Sequence, residues 1–191
     1  MGASPETTGA LPVSPRVGHA RRLVGIAVGT LAVAAAAQVA VPVPLSPVPM
    51  TLQPLAVLAV GGLLGAAGGV AALVAYLSLG ALGLPVFAGG SGGVLHLLGP
   101  TGGYLLAFPV AAGLTGGLIG GRGGVLRTLG ACALGMVVIH LGGVAQLALL
   151  GGNASTAFRV GFVPFLTGDL LKVGLAAAVI LGLRPRTHRV N

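Results

Sequence analysis

The sequence predicts an all-α integral membrane protein with six transmembrane helices. Only 6% of its 191 residues are charged and 55% are hydrophobic, whereas a soluble domain carries roughly 25% charged residues. So few charges could not cover the surface of a soluble protein of this length. The acids are Glu6 and Asp169, so the formal net charge of +8 reflects missing acids. Because the basic residues do not form one clustered face, we expect membrane lipid and no nucleic acid as a partner.

Six apolar runs are candidates for membrane helices, since a spanning helix needs roughly 20 apolar residues. The runs cover residues 23–41, 52–66, 69–83, 104–120, 125–150 and 165–183. The second and third runs are short and are joined by only a few residues. Residues 1–20 are rich in Pro, Gly and small polar side chains, which predicts a disordered tail. We therefore expect a six-helix membrane domain over residues 21–185 and a short tail over 186–191.

The basic residues test this helix count. With six helices, both termini lie on the same side of the membrane as the loop near residue 122, and eight of the ten basic residues fall on that side. They are Arg16, Arg21, Arg22, Arg122, Arg127, Arg184, Arg186 and Arg189. Because positive charge marks the cytoplasmic face, we expect a multi-pass protein of the cell membrane with both termini in the cytoplasm.

The three loops on the outer side differ from the short inner ones. They cover residues 41–54, 84–104 and 151–164, and they are partly apolar and rich in Pro or Gly. Backbone that leaves a helix near the bilayer must be buried in protein or line a cavity. The loops therefore predict a lidded pocket that opens outward.

Two charged residues lie inside the last apolar run. Asp169 and Lys172 are three positions apart, so on a helix they can share one cavity. Each costs roughly 2.5–3.5 kcal/mol at the centre of a membrane helix, and we expect both one turn inside the outer end. The alternative is an ion pair without a ligand, but two apolar residues often replace such a pair without loss of stability. We therefore predict that both side chains face a polar ligand site.

Further polar candidates follow the outer loops. Tyr104 ends the turn GPTGGY, where its ring could stack on a ligand and its hydroxyl could donate, although a plain turn is equally compatible. Thr51 and Gln53 follow the Pro-rich loop, and the alternative for Thr51 is helix capping. Gln38 and Gln146 are lone amides within apolar runs, which predicts interhelical hydrogen bonds.

The first predicted helix carries small residues at a spacing of four, Ala32, Ala36 and Ala40. Such a pattern lets another helix approach closely. Composition alone does not distinguish packing within the protein from a docking face for a partner subunit.

Enzyme chemistry has weak support in the sequence. The segment GGSGG, residues 89–93, matches the G-x-S-x-G pattern of serine hydrolases around Ser91, but that motif needs a strand–turn–helix. The only lysine is Lys172, which excludes the P-loop pattern and hence an ATP site of that kind. The four histidines have no second His or acid at ligand spacing and Cys132 is alone, so we expect neither a metal nor another cofactor. An intramembrane hydrolase remains the alternative outside transport.

Four stretches together resemble one known family. PVPLSPVPMTLQ, GALGLPVFAGGSGG, GPTGGYLLAFP and PFLTGDLLK occur in this order within residues 23–183. They closely resemble the BioY biotin transporters, the substrate-binding (S) components of energy-coupling-factor transporters. The resemblance implies the six-helix S-component fold, an outward-facing site for biotin, and no enzymatic activity. It also implies a transmembrane coupling subunit and a pair of ATPase subunits as partners, with the first-helix alanines as the docking face.

The resemblance also implies roles for individual side chains. Asp169 would accept hydrogen bonds from the ureido N–H groups of biotin, and Lys172 would donate to the ureido oxygen or neutralise the carboxylate tail. Aromatic and polar side chains would complete the site, namely Tyr104, Phe87, Ser91, Thr51 and Gln53. The alternative within the same transporter class is a different vitamin as the ligand.

Overall fold

The computed structural model describes residues 15–120 and 124–184. Seven helices follow the chain: α1 Pro15–Gln38, α2 Gln53–Ala81, α3 Val94–Leu98, α4 Gly102–Ile119, α5 Val125–Gly151, α6 Ala154–Gly161 and α7 Leu166–Leu183. Two short antiparallel strands, β1 Ala40–Val41 and β2 Met50–Thr51, close the loop between α1 and α2. In the described chain, five helical segments are long and apolar enough to cross a membrane, with α6 and α7 together as the last.

The second of these segments, α2, reverses direction at Gly65. Along one straight helix, Gln53 and Tyr76 would lie about 35 Å apart at 1.5 Å per residue. Instead, Gln53 Nε2 donates a hydrogen bond to Tyr76 Oη over 2.6 Å. The two halves, residues 53–64 and 66–81, are therefore antiparallel neighbours. Over residues 15–120 and 124–184 the chain crosses the bundle six times, which confirms the predicted six-helix fold.

Glycine makes this reversal possible. Gly65 has φ 74° and ψ 176°, a region of backbone conformation that only glycine adopts readily. A Cβ built on Gly69 would lie 2.9 Å from Gly61 Cα, so the two halves touch through their backbones. The second and third helices were predicted over residues 52–66 and 69–83; the turn instead lies at Gly65, within the predicted second helix, and consists of a single residue.

The two ends of the bundle are built differently. At the closed end, defined by Gly65, Gly120 and Arg184, the Arg184 side chain donates to the Gly120 carbonyl over 2.7 Å and to the Gly62 carbonyl over 3.1 Å. The Arg184 side chain thereby binds carbonyl groups at the C-terminal ends of two helical segments, the first half of α2 and α4. The opposite end, here called the loop end, is formed by the connecting segments 39–52, 82–101 and 152–165.

The third outer loop is mostly helical, which corrects the prediction of a loop over 151–164. Asn153 caps α6, since its side-chain oxygen accepts a hydrogen bond from Thr156 N over 2.9 Å, as is usual at helix N-termini. Ala157 and Gly161 are buried one turn apart, so this face of α6 packs closely. A Cβ on Gly161 would lie 2.6 Å from Leu147 Cδ1 of α5. Helix α6 therefore runs back along α5, and the sixth span is a broken helix.

Two amides brace the loop end, although the sequence predicted that they bridge helices. Gln38 Nε2 donates to the Phe87 carbonyl over 3.3 Å. Gln146 Nε2 donates to the carbonyls of Leu97 and Gly99 over 3.0 and 2.6 Å. Each amide thus binds loop backbone, because the loops fold down against the helix ends and present carbonyls there.

Helix α1 packs mainly on α2 and leaves one face open. Thr30 Oγ1 donates to the Ala72 carbonyl over 2.9 Å. Another face of the helix carries the exposed apolar side chains of Val24, Val28 and Leu31, and Leu23 is exposed nearer the start of the helix. Residues 15–20, predicted as part of the tail, form the first turns of α1, while residues 1–14 and the predicted tail 186–191 lie outside the described residues.

Replacement of Gly65 by alanine should destabilise the fold by about 1–3 kcal/mol, since the side chain would be held in a strained backbone conformation. We expect a lower midpoint of thermal unfolding in detergent, followed by circular dichroism. Gly130→Ala is the matched control, because no heavy atom lies within 4 Å of a Cβ built there and the change favours helix. Equal midpoints for Gly65→Ala and the unchanged protein would contradict the assigned turn.

Candidate functional site

A cavity of about 50 Å³ lies beneath the loop end, smaller than the roughly 300–1,000 Å³ that is usual for small-molecule sites, so the site is nearly closed in this structure. Its apolar lining consists of Val48, Pro49, Pro54, Ala88, Leu105, Phe108, Ile139 and Phe165. Its polar lining consists of Thr51, Gln53, His96, Thr101, Tyr104, His140, Asp169 and Lys172. Half of the lining residues are thus apolar, and the combination of apolar walls with hydrogen-bonding groups suits a small, partly apolar ligand.

Asp169 is the centre of the polar lining. Its carboxylate is only 5% exposed, and it receives hydrogen bonds on both oxygens. Lys172 Nζ lies 2.9 Å from Oδ1 and His140 Nε2 lies 2.6 Å from Oδ2. Asp169 is also in the first turn of α7, where the helix dipole favours a negative charge. The break between α6 and α7 therefore brings a helix N-terminus to the cavity wall.

The cluster lies well inside the bundle. His140 is 11 residues before the end of α5 at Gly151, which corresponds to roughly 16 Å along the helix axis. Asp169 lies in the first turn of α7, the position in the last helix that the sequence predicted, while α5 extends well beyond the cluster. Because α6 runs back along α5 before α7 begins, Asp169 is carried towards the middle of the bundle.

His140 is the member of the cluster that sequence reasoning missed. Its partner Asp169 is 29 residues away, so no local spacing connects them. A signal was present in the buried stripe of α5, in which Met136, His140 and Gly143 follow one another at helical spacing. The imidazole also packs edge-on against Phe162, with ring centroids 4.9 Å apart.

The cluster offers both donors and acceptors to a ligand. Asp169 and Lys172 carry opposite charges, so the pair is neutral as a whole. Lys172 has three N–H donors, of which one is directed at Asp169. Each carboxylate oxygen has a second lone pair that can accept a further bond. In the part of the chain that the structure describes, no three His, Cys, Asp or Glu side chains are grouped to hold a metal ion.

Thr51 and Gln53 line the cavity together. Gln53 Nε2 donates to Tyr76 Oη over 2.6 Å, and Tyr76 in turn donates to the Val86 carbonyl over 3.1 Å. Thr51 Oγ1 donates to Gln53 Oε1 over 3.1 Å. The N-cap position of α2 is Leu52, but Gln53 N donates to Thr51 Oγ1 over 3.3 Å, so Thr51 satisfies an N–H at the helix start and also helps to fix the Gln53 side-chain amide.

Tyr104 lines the cavity with its ring, while its hydroxyl is used within the protein. Tyr104 Oη donates to the Gly161 carbonyl over 2.6 Å and so holds the end of α6 in place. A Cβ on Gly143 would lie 2.1 Å from the ring, which means that the ring packs flat against the α5 backbone. The ring is therefore held from two sides.

Phe87 and Ser91 do not line the cavity. Phe87 is fully buried and stacks on the His96 ring with centroids 5.3 Å apart, so it supports a lining residue from behind. Ser91 Oγ donates to the Ala88 carbonyl over 2.7 Å. The hydroxyl thus bonds to backbone, and this geometry gives no support to the hydrolase hypothesis.

The three alanines of the first predicted helix do not share one environment. Ala32 is exposed, and Ala36 is partly buried against the core. Ala40 lies in β1, opposite Thr51 of β2, because α1 ends at Gln38. The small residues therefore do not form one continuous exposed stripe.

Comparison with known proteins assigns this chain to a family. The chain matches the model of the BioY family over residues 7–189. A biotin transporter BioY from Thermotoga maritima is 37% identical over 142 residues, covering 74% of this chain and 84% of the relative. A probable biotin transporter BioY from Pyrococcus horikoshii is 42% identical over 142 residues, covering 74% and 83%.

A solved structure agrees with the sequence relatives. The 2.1 Å crystal structure of the S-component for biotin from an ECF-type ABC transporter superposes with a TM-score of 0.83 at 27% identity. The match covers 90% of this chain and 95% of that one. On the family match, the sequence relatives and this structural likeness, the chain belongs to the BioY family.

Proposed function

We propose that the protein binds biotin and carries it into the cell as the substrate-specific component of an energy-coupling-factor transporter. The observation that carries this proposal is the hydrogen-bonded cluster of Asp169, Lys172 and His140 in the wall of a cavity that also has apolar sides. The biotin transporters among the relatives and the biotin S-component among solved structures support it.

The chemistry of biotin suits this cavity in one orientation. Biotin has a neutral ureido group with two N–H donors and one carbonyl acceptor, an apolar sulfur ring and a carboxylate tail. A carboxylate placed beside the neutral Asp169–Lys172 pair would add an uncompensated buried charge, which is strongly unfavourable. The ureido group adds no charge, so it is placed at the cluster, with Asp169 accepting an N–H and Lys172 donating to the ureido oxygen.

The remaining groups of biotin follow from this orientation. The sulfur ring and the aliphatic chain lie against the apolar lining, with Tyr104, Phe108 and Phe165 as the aromatic surfaces. The tail runs towards the loop end, where His96 and Thr101 line the cavity and pair with each other over 3.1 Å. A ligand without the ureido group leaves buried polar groups unpaired, which provides discrimination.

Asp169→Asn should weaken biotin binding by about 10- to 100-fold, since a hydrogen bond to a charged group contributes roughly 1.5–3 kcal/mol. The measurement is calorimetric titration of the purified protein in detergent. Arg159→Gln, an exposed change on α6, is the control and should bind like the unchanged protein. Normal affinity in Asp169→Asn would remove the assigned role, and stronger displacement of biotin by another vitamin would identify a different ligand.

We also propose that the loop end faces outward and that both termini are cytoplasmic. Arg21, Arg22, Arg127 and Arg184 all belong to helix ends near the closed end, and positive charge marks the cytoplasmic side. This arrangement opens the cavity to the outside.

Labelling of single cysteines tests this orientation. In a Cys132→Ala background, Asn153→Cys at the loop end should react with a membrane-impermeant maleimide on intact cells. Gly124→Cys, which is exposed at the start of α5, should react only after the cells are permeabilised. The opposite pattern would invert the proposed topology.

The open face of α1 is the proposed docking surface for a transmembrane coupling subunit, which would connect the protein to a pair of ATPase subunits. Ala32 is exposed on this helix, beside the exposed apolar Leu31 and Val28. Lys172 of the described chain is bound to Asp169 and is not part of a P-loop. Uphill transport driven by a P-loop ATPase therefore requires another subunit.

Ala32→Leu should lower biotin uptake several-fold in cells that supply the coupling module, because a larger side chain prevents close helix approach. Binding of biotin in detergent should stay unchanged. Ala178→Leu makes the same change at an exposed position of α7 and should not affect uptake. Equal uptake by both variants, or full uptake without the module, would exclude this docking surface.

A further inference from the structure

His140 has one nitrogen without a partner. The side chain lines the cavity and the residue is 7% exposed. Its Nε2 binds Asp169, while Nδ1 is the buried side-chain polar atom that lacks a hydrogen bond in the described chain. Buried polar atoms are nearly always paired, and an exception calls for an explanation such as a missing ligand or water.

The pairing of Nε2 determines the chemistry of Nδ1. A carboxylate only accepts hydrogen bonds, so the contact of 2.6 Å to Asp169 Oδ2 requires the proton on Nε2. In a neutral imidazole, Nδ1 is then an acceptor with a free lone pair. The charged and titratable groups around it are Asp169 and Lys172 of α7 and Tyr104 of α4, whose ring centroid lies 6.0 Å away. The hydroxyl of Tyr104 is already donated to the Gly161 carbonyl.

The other neighbours of the imidazole bring no donor to Nδ1. Phe162 and Phe165 pack against the ring with centroids 4.9 and 6.2 Å away. Lys172 donates to the other carboxylate oxygen. Because Nδ1 is covered in this structure, a ligand reaches it through a small shift of the imidazole or of these two phenyl rings.

We infer that His140 Nδ1 accepts a hydrogen bond from one ureido N–H of biotin, while Asp169 accepts from the other. This inference rests on the proposed function. The site then supplies two acceptors, Asp169 and His140, and one donor, Lys172. These match the two donors and the one acceptor of the ureido group. The His140–Asp169 bond holds both acceptors on the same wall, so His140 is a binding residue and also positions Asp169.

The direct test uses protein labelled with ¹⁵N-histidine in detergent, with and without biotin. His140→Gln identifies the His140 signals. We expect an unprotonated Nδ1 whose resonance moves upfield when biotin is added, as a nitrogen does when it accepts a hydrogen bond. Desthiobiotin, which keeps the ureido group and lacks the sulfur, should cause the same shift. A merely structural histidine would not respond in this way.

Affinity measurements separate the two bonds of the imidazole. The His140→Gln amide can reach the position of Nε2 and keep the bond to Asp169, but it leaves no acceptor near Nδ1, so we expect an affinity loss of about 2- to 10-fold. In His140→Asn, the amide lies near the position of Nδ1 but cannot reach Asp169. This variant therefore loses the bond that His140→Gln keeps. The inference would be overturned if the Nδ1 signal is that of a protonated nitrogen. It would also be overturned if biotin binds without shifting this signal. Absence of biotin binding to the unchanged protein would instead refute the proposed function.

Discussion

The burial of one carboxylate organises the site end of this molecule. An ionised group in an apolar interior is tolerated when it is paired and hydrogen-bonded, and Asp169 meets that condition through Lys172, His140 and the start of α7. Each partner requires part of the fold. Lys172 needs an intact first turn of α7, and His140 needs α5 beside it. The sixth span must also be broken, because only a helix that begins inside the bundle can bring its N-terminus to this carboxylate.

Breaks in the helices are covered by protein in two ways. Backbone away from water must be satisfied internally. At the closed end, the backbone at Gly65 lies against α4, where a Cβ on Gly116 would come within 2.5 Å of Gly65 C. At the loop end, Tyr104 holds the end of α6 and Gln146 holds the loop before α4. The cavity thus has helical walls and a roof of loops tied down by single side chains, so that the roof can adjust to a ligand without a change in the helices.

Sequence reasoning succeeded where the information is local. Apolar runs and the Arg distribution led to six crossings, and the spacing of Asp169 and Lys172 led to a shared cavity that both side chains line. It failed where the information is non-local. Nothing near His140 in the chain indicates its bond to a residue 29 positions away. The helix α6 was predicted as part of a Gly-rich loop, but Gly151 and Gly152 end α5 and Asn153 caps the next helix.

The sequence by itself determined the membrane class, the number of crossings and the two charged residues that share the cavity lining, because composition, apolar length and helical spacing are properties of short segments. Tertiary structure alone decided how deep the charges lie, which side chains complete their bonding, and that Phe87 and Ser91 lie outside the cavity. These outcomes depend on how the broken sixth span packs on α5, and packing between distant segments leaves no mark in the local pattern of either one.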